Sequence, residues 1–119
     1  MELRIKTSDY EMTPETSAYL GEKLATLERL IHDEAARCEV EIGRAVGHSE
    51  HGDVWKAEIV VTNFGERLYA LAREESVNAA IDIAKDEMLQ QLRKSKGKHA
   101  TLARRFGARL KRFTRFGRE

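Results

Sequence analysis

Residues Ser76 to Lys98 read S-V-N-A-A-I-D-I-A-K-D-E-M-L-Q-Q-L-R-K-S-K-G-K. Val77, Ala80, Ile81, Ala84, Met88 and Leu92 recur at helical spacing and make one apolar stripe. Towards the end of the stretch Arg93, Lys94, Lys96 and Lys98 succeed one another with no acid between them. A helix of this pattern buries its first turns in a core and offers its last turns to something negative. At about 100° per residue, Lys85 and Lys96 fall within roughly 20° of each other on one flank of the stripe, with Arg93 about 60° further round. Taken alone, such a charged helix end is a solvated face; the rest of the chain decides whether it is more.

Working outward, the 119 residues amount to one domain, long enough for one core and too short for two. The formal net charge of +1 hides a polarised chain: residues 1–92 sum to −9 and residues 93–119 to +10. An acidic body with a basic end meets a polyanion through that end and through local patches, while the body's repulsion fixes the orientation. The single cysteine, Cys38, excludes an internal disulfide framework and fits a reducing compartment. No apolar run approaches membrane-spanning length, and the opening M-E-L-R-I-K lacks the apolar stretch of a signal peptide. A cytoplasmic, soluble protein is expected.

Ahead of the quoted helix, residues 2–8 alternate, which predicts a half-buried strand with Leu3 and Ile5 inward. Thr13-Pro14-Glu15 carries a cap, a proline at the first helical position and an acid in the first turn. The helix they open is expected to run to Ile31 or His32, burying Leu20, Leu24, Leu27 and Ile31. Arg37 to Val46 alternates with Cys38, Val40 and Ile42 inward. A polar loop from Gly47 to Asp53 leads to a strand from Val54 to Asn63, with Trp55, Ala57, Ile59 and Val61 on one face. Phe64-Gly65-Glu66 turns into a fourth strand in which Leu68, Ala70 and Ala72 alternate with polar and larger residues. The order β-α-β-β-β-α predicts an α+β two-layer sandwich, a four-stranded sheet with two helices on one face. If the first two strands are neighbours, the crossover makes them parallel; the other three form a meander.

Residues 99–119 differ in kind. Leu102, Phe106, Leu110 and Phe113 recur every three or four positions among Arg104, Arg105, Arg109, Lys111, Arg112, Arg115 and Arg118. The segment reads as a basic, aromatic-bearing tail following a domain of residues 1–98. It is either a frayed tail or an arm that orders against RNA, arginine pairing with phosphate and phenylalanine stacking on bases.

Catalytic and metal chemistry find little support. His48-x-x-His51, with Glu50 and Asp53 beside it, has a usable ligand spacing but no second ligand pair, and a solvated hairpin tip is expected in place of a metal site. Cys38 reads as a small core residue. Ser49, His51 and Asp53 are close in sequence, which is not a triad. No glycine loop for phosphate is present. A non-enzymatic protein without cofactor, metal or small-molecule substrate is expected. Lys23 and Arg29 on the first helix become candidates for binding because the two helices are expected to pack side by side, bringing them near Lys85. The outer sheet face, with Arg4, Lys6, Glu39, Glu41, Lys56, Glu58, Arg67 and Arg73, mixes both signs, as cross-strand charge pairs do.

The opening E-L-R-I-K, Thr13 before the first helix, K-L-A-T-L-E from Lys23 to Glu28, A-A-I-D from Ala79 to Asp82 and Q-L-R-K-S-K-G-K from Gln91 to Lys98 together resemble the short ribosome hibernation-promoting factors, the ribosome-associated inhibitor family also described as sigma-factor modulators. The resemblance runs from Met1 to about Lys98. It implies a fold similar to double-stranded-RNA-binding domains and a site on the small ribosomal subunit near the decoding centre, where messenger and tRNA sites are blocked in idle cells. It also implies RNA-facing roles for Lys23, Lys94, Lys96 and Lys98. Glu87 and Gln90 depart from the pattern, standing where many relatives carry Lys or Arg; Lys85 and Arg93 can offset them. The long relatives' dimerisation domain has no counterpart, the basic tail with Arg104, Arg105 and Arg109 standing in its place. The expected partner is the small subunit and its RNA. The competing readings are a general structured-RNA-binding module and a protein-interaction regulator of transcription.

Overall fold

The computed structural model describes residues 1–45 and 54–95. The loop with His48 and His51, the end of the second strand at Val46, and everything from Lys96 onward lie outside the described residues. Within them the chain runs β1 (Glu2–Ser8), α1 (Pro14–Glu28), β2 (Arg37–Arg44), β3 (Trp55–Asn63), β4 (Glu66–Glu74) and α2, helical over residues 77–95.

Local chemistry sets the start of each helix. Thr13 has extended backbone angles and its hydroxyl accepts from the Thr16 amide at 3.1 Å, with Pro14 next in the first turn. Ser76 does the same for α2, its hydroxyl accepting from the Ala79 amide and its carbonyl from that of Ala80, both at 3.1 Å. The α1 helix stops at Glu28, earlier than its apolar pattern suggests. From there the chain tightens into three-residue turns, Leu30 N–H donating to Leu27 O and Ile31 N–H to Glu28 O. Leu30 and Ile31 still pack against the core from this turn. Asp33 then ties the loop down, accepting from the amides of Ala35 at 3.0 Å and Phe64 at 2.8 Å.

The sheet has the order β1-β2-β3-β4. The β1–β2 pair is parallel, as a helical crossover requires, and the other two pairs are antiparallel. Asn63 pairs with Glu66, leaving a two-residue hairpin loop in which Phe64 and Gly65 both have positive φ, 50° and 78°. Register aligns Cys38, Val61 and Leu68 across three strands, then Val40, Ile59 and Ala70, then Ile42, Ala57 and Ala72. These nine side chains form one cluster with Leu20, Leu24 and Leu27 of α1 and Ala80, Ile81, Ala84, Met88 and Leu92 of α2, so both helices cover the same sheet face. Burial pushes the Cys38 thiol up to about 11, which fits its place as core filling.

One expectation fails at β1. Leu3 and Ile5 are 44 % and 47 % exposed although their register partners are the buried Cys38 and Val40. They lie on the helix face, but β1 is the edge strand and no β1 side chain belongs to the core cluster. Alternation identified the face correctly and could not show that the core cluster leaves the edge strand out. Trp55 is likewise only half-buried at the sheet's end, edge-on to Tyr10 at 5.5 Å with the Arg44 guanidinium 5.2 Å from its ring centre.

Two substitutions test this packing. Ile81→Ala removes a fully buried side chain at the middle of the helix–sheet contact and should cost about 2–5 kcal/mol in urea unfolding; a loss below about 1 kcal/mol would contradict the burial. Gly43 lies opposite Ser8, and a Cβ there would meet the Ser8 carbonyl and hydroxyl oxygens at 2.3 Å. Gly43→Ala should therefore destabilise by about 1–3 kcal/mol by forcing the β1 end away; unchanged stability would mean β1 yields freely.

Candidate nucleic-acid interface

The α2 stripe fixes where every other α2 side chain points. With Ala80, Ile81, Ala84, Met88 and Leu92 turned to the sheet, Asp82 is directed across to α1 and meets two of its residues. The Tyr19 hydroxyl donates to Asp82 Oδ2 at 2.5 Å, and Lys23 Nζ lies 3.3 Å from Asp82 Oδ1. Tyr19 and Lys23 are one turn apart on α1, and the ammonium sits 4.9 Å from the Tyr19 ring centre. Asp82 Oδ1 is shielded from solvent and has no aligned hydrogen bond, so the Lys23 charge is its compensation. The Tyr19 hydrogen bond holds the Asp82 carboxyl below its usual range, partial burial opposes this, and the Lys23 and Lys85 charges reinforce it. The same bond, with burial and the Asp82 charge, pushes the Tyr19 hydroxyl up to about 12.

The predicted binding residues distribute along this helix–helix seam and beyond it. Lys23 is half-buried in the cluster just described. Lys85 stands one turn beyond Asp82, its side chain mostly covered and paired with Asp86 at 2.5 Å. Arg29 is exposed at the C-terminal cap of α1, outside the Tyr19–Asp82 contact. Arg93 and Lys94 are exposed on the last described turn of α2 and have no ion-pair partner among the described residues. Arg93 follows Asp82 by eleven positions, which returns it to within about 20° of the same azimuth, roughly 16 Å further along the helix. Lys94 borders a shallow 210 Å³ cleft with Gln91, Ser95, Leu68 and Glu66. Lys96, Lys98, Arg104, Arg105 and Arg109 lie outside the described residues. Glu87 and Gln90 are exposed on the same helix, so the two departures from the basic pattern do fall on its surface.

Sequence reasoning missed three contributors. Tyr19 and Asp82 gave a signal only as polar groups flanking two apolar stripes. Gln91 gave none: its side chain accepts from the Tyr69 amide at 3.3 Å and donates to the Tyr69 carbonyl at 2.6 Å, copying a strand partner along the β4 edge. On the outer sheet face Lys56 pairs diagonally with Glu41 at 3.7 Å, and Arg4 and Lys6 stand opposite Glu39 and Glu41. Glu41 and Glu58 are also direct cross-strand partners, a like-charge pair that the expected pattern of opposite charges did not foresee. Among the described residues no group of three or more His, Cys, Asp or Glu side chains is placed to hold a metal, and no helix is long and apolar enough to cross a membrane.

Residues 3–100 match the family described as sigma 54 modulation protein / S30EA ribosomal protein. The chain belongs to this family. Its fold is that of the protein Y N-terminal domain from Thermus thermophilus, with 26 % identity and a TM-score of 0.65 over 79 % of this chain and 98 % of that one. A ribosomal subunit interface protein from Coxiella burnetii shares the fold at 15 % identity and a TM-score of 0.64, over 82 % of this chain and 99 % of the other. A search of curated proteins returns no match. The family is ribosome-associated, and its match spans the whole sheet, both helices and the basic run after Leu92.

The Tyr19–Asp82 bond carries a definite pH sign. The lowered Asp82 carboxyl contributes stability above the unfolded carboxyl's pKa of about 3.9, and this is lost as pH falls through the folded value. The Tyr19 contribution is complete below its ordinary 10 and is lost as pH rises through about 12. Tyr19→Phe should cost about 1 kcal/mol near neutral pH, the low end for a charged acceptor because solvent screens the pair. The wild-type advantage should shrink as pH falls below the ordinary carboxyl range, and NMR titration should show the Asp82 carboxyl rising. An unmoved Asp82 titration would contradict the bond.

Proposed function

We propose that this protein is a ribosome hibernation factor that binds the small ribosomal subunit near the decoding centre, blocks the messenger and tRNA sites, and silences translation in idle cells. The observation that carries the reading is the family match over residues 3–100, which includes the cationic end of α2. The geometry supports it. Arg93 and Lys94 project from a helix whose other face is locked in the core, so their positions are defined before any partner arrives. Lys23 and Lys85 lie further back along the same seam, and Arg29 extends the cationic surface along α1. Lys96, Lys98, Arg104, Arg105 and Arg109 continue the charge in sequence and are proposed as further contacts with ribosomal RNA. The negative sum of residues 1–92 disfavours contact between the body at large and the phosphates, which leaves the cationic end as the point of docking.

Reversing charge at Lys94, Lys96 and Lys98 together should abolish co-sedimentation with purified small subunits while leaving thermal unfolding unchanged. For every phosphate that no longer meets a cation, the log–log salt dependence should flatten by roughly 0.7 to 0.9, by analogy with nucleic-acid ligands. Unchanged co-sedimentation of the folded triple variant would remove this site from the interface. Equal affinity for free duplex RNA would favour a general RNA-binding module, and binding indifferent to salt would favour a protein partner.

A further inference from the structure

We propose that Asp82 is a positioning residue for RNA binding: clamped by the Tyr19 hydroxyl, its carboxylate holds the Lys23 ammonium at the seam between the two helices, where it meets a phosphate. The proposal rests on the small-subunit reading given above. An acid inside a surface meant for a polyanion is repulsive by itself, so its placement there needs a compensating role, and the geometry supplies one. Oδ2 is fixed by Tyr19 at 2.5 Å, which prevents the carboxylate from turning. Oδ1 then faces Lys23 Nζ at 3.3 Å, and the ammonium is flanked on another side by the Tyr19 ring at 4.9 Å. The Lys23 side chain is only 28 % exposed and is thereby confined, whereas a solvated lysine must give up its rotamer freedom when it contacts a phosphate.

The carboxylate serves a second cation as well. The Lys85 charge, one turn further along α2 and itself paired with Asp86, acts on the same group. Oδ1 is shielded from water and has no aligned hydrogen bond. Lys23 therefore stays beside Asp82 when a phosphate arrives, and the phosphate binds to the ammonium's remaining open side.

The experiment compares the full chain with Asp82→Asn, Lys23→Met, the double variant and Tyr19→Phe, for small-subunit affinity and for fold by thermal unfolding. Asp82→Asn raises the net charge by one, so removal of repulsion alone predicts tighter binding. The positioning role predicts that binding weakens by about 3- to 10-fold, a typical coupling between neighbouring groups, and that the weakening disappears when Lys23 is already Met. Tyr19→Phe, which keeps every charge, should weaken binding in the same direction. In the ribosome-free protein, nitrogen NMR should detect a slowly exchanging Lys23 ammonium that Asp82→Asn releases. Asp82→Asn binding as tightly as wild type or tighter, equal weakening in the Lys23→Met background, or a Lys23 ammonium that exchanges as fast as an exposed lysine each overturns the proposal. Wild-type protein that fails to bind small subunits overturns the functional reading itself, a result distinct from all three.

Discussion

The structure depends on how closely α2 lies against the sheet. Ala57, Ala70 and Ala72 on β3 and β4 are buried in one cluster with Ala80 and Ala84 of the helix. Short side chains on both surfaces let the backbones approach, and Ile59, Ile81, Met88 and Leu92 fill the rest of the same cluster. Packing of this kind admits one rotation of the helix and little sliding, because larger side chains would have to enter alanine-sized gaps. The directions of Asp82, Lys85, Gln91, Arg93 and Lys94 all follow from it.

Polar contacts at the margins of this core then set the remaining geometry. Tyr19 and Lys23 fasten α1 to Asp82 of α2, and Gln91 fastens α2 to the edge of β4. None of these groups is deeply buried, so each contributes modestly to stability. Their effect is on relative placement: the cationic seam is carried by two helices and is defined only if the helices keep their spacing. The two edges of the sheet differ for the same reason. Gln91 occupies the backbone groups of Tyr69 on one side, while β1 on the other side contributes no side chain to the core cluster.

Under the proposed function, this division of labour is economical. In that reading affinity comes from cations, whose attraction is long-ranged and tolerant of geometry. In the same reading, orientation comes from the rigid body that carries them. A helix that is core along one face and cationic at its end supplies both properties, and membership of a ribosome-associated family fits such a shape.

Much of this was legible in the sequence. The α2 stripe, the Thr13-Pro14 helix start, the Phe64-Gly65 turn and the alternation of β2 to β4 are local patterns, and local patterns follow from dihedral preferences and periodicity that the chain carries everywhere it goes. The polarised charge is legible for the same reason, and so was the basic run at the end of α2. Tertiary structure decided what depends on distance between remote residues. Leu3 and Ile5 alternate as inward residues do, yet remain exposed because β1 is the edge strand and lies outside the core cluster. The α1 helix ends at Glu28 because the chain must tighten to bring Leu30 and Ile31 to the core and Asp33 to the β3–β4 turn. Tyr19 meets Asp82, and Gln91 meets Tyr69, across separations of 63 and 22 positions. No periodicity encodes such a meeting; it exists only once the alanine-lined contact has set the azimuth of α2.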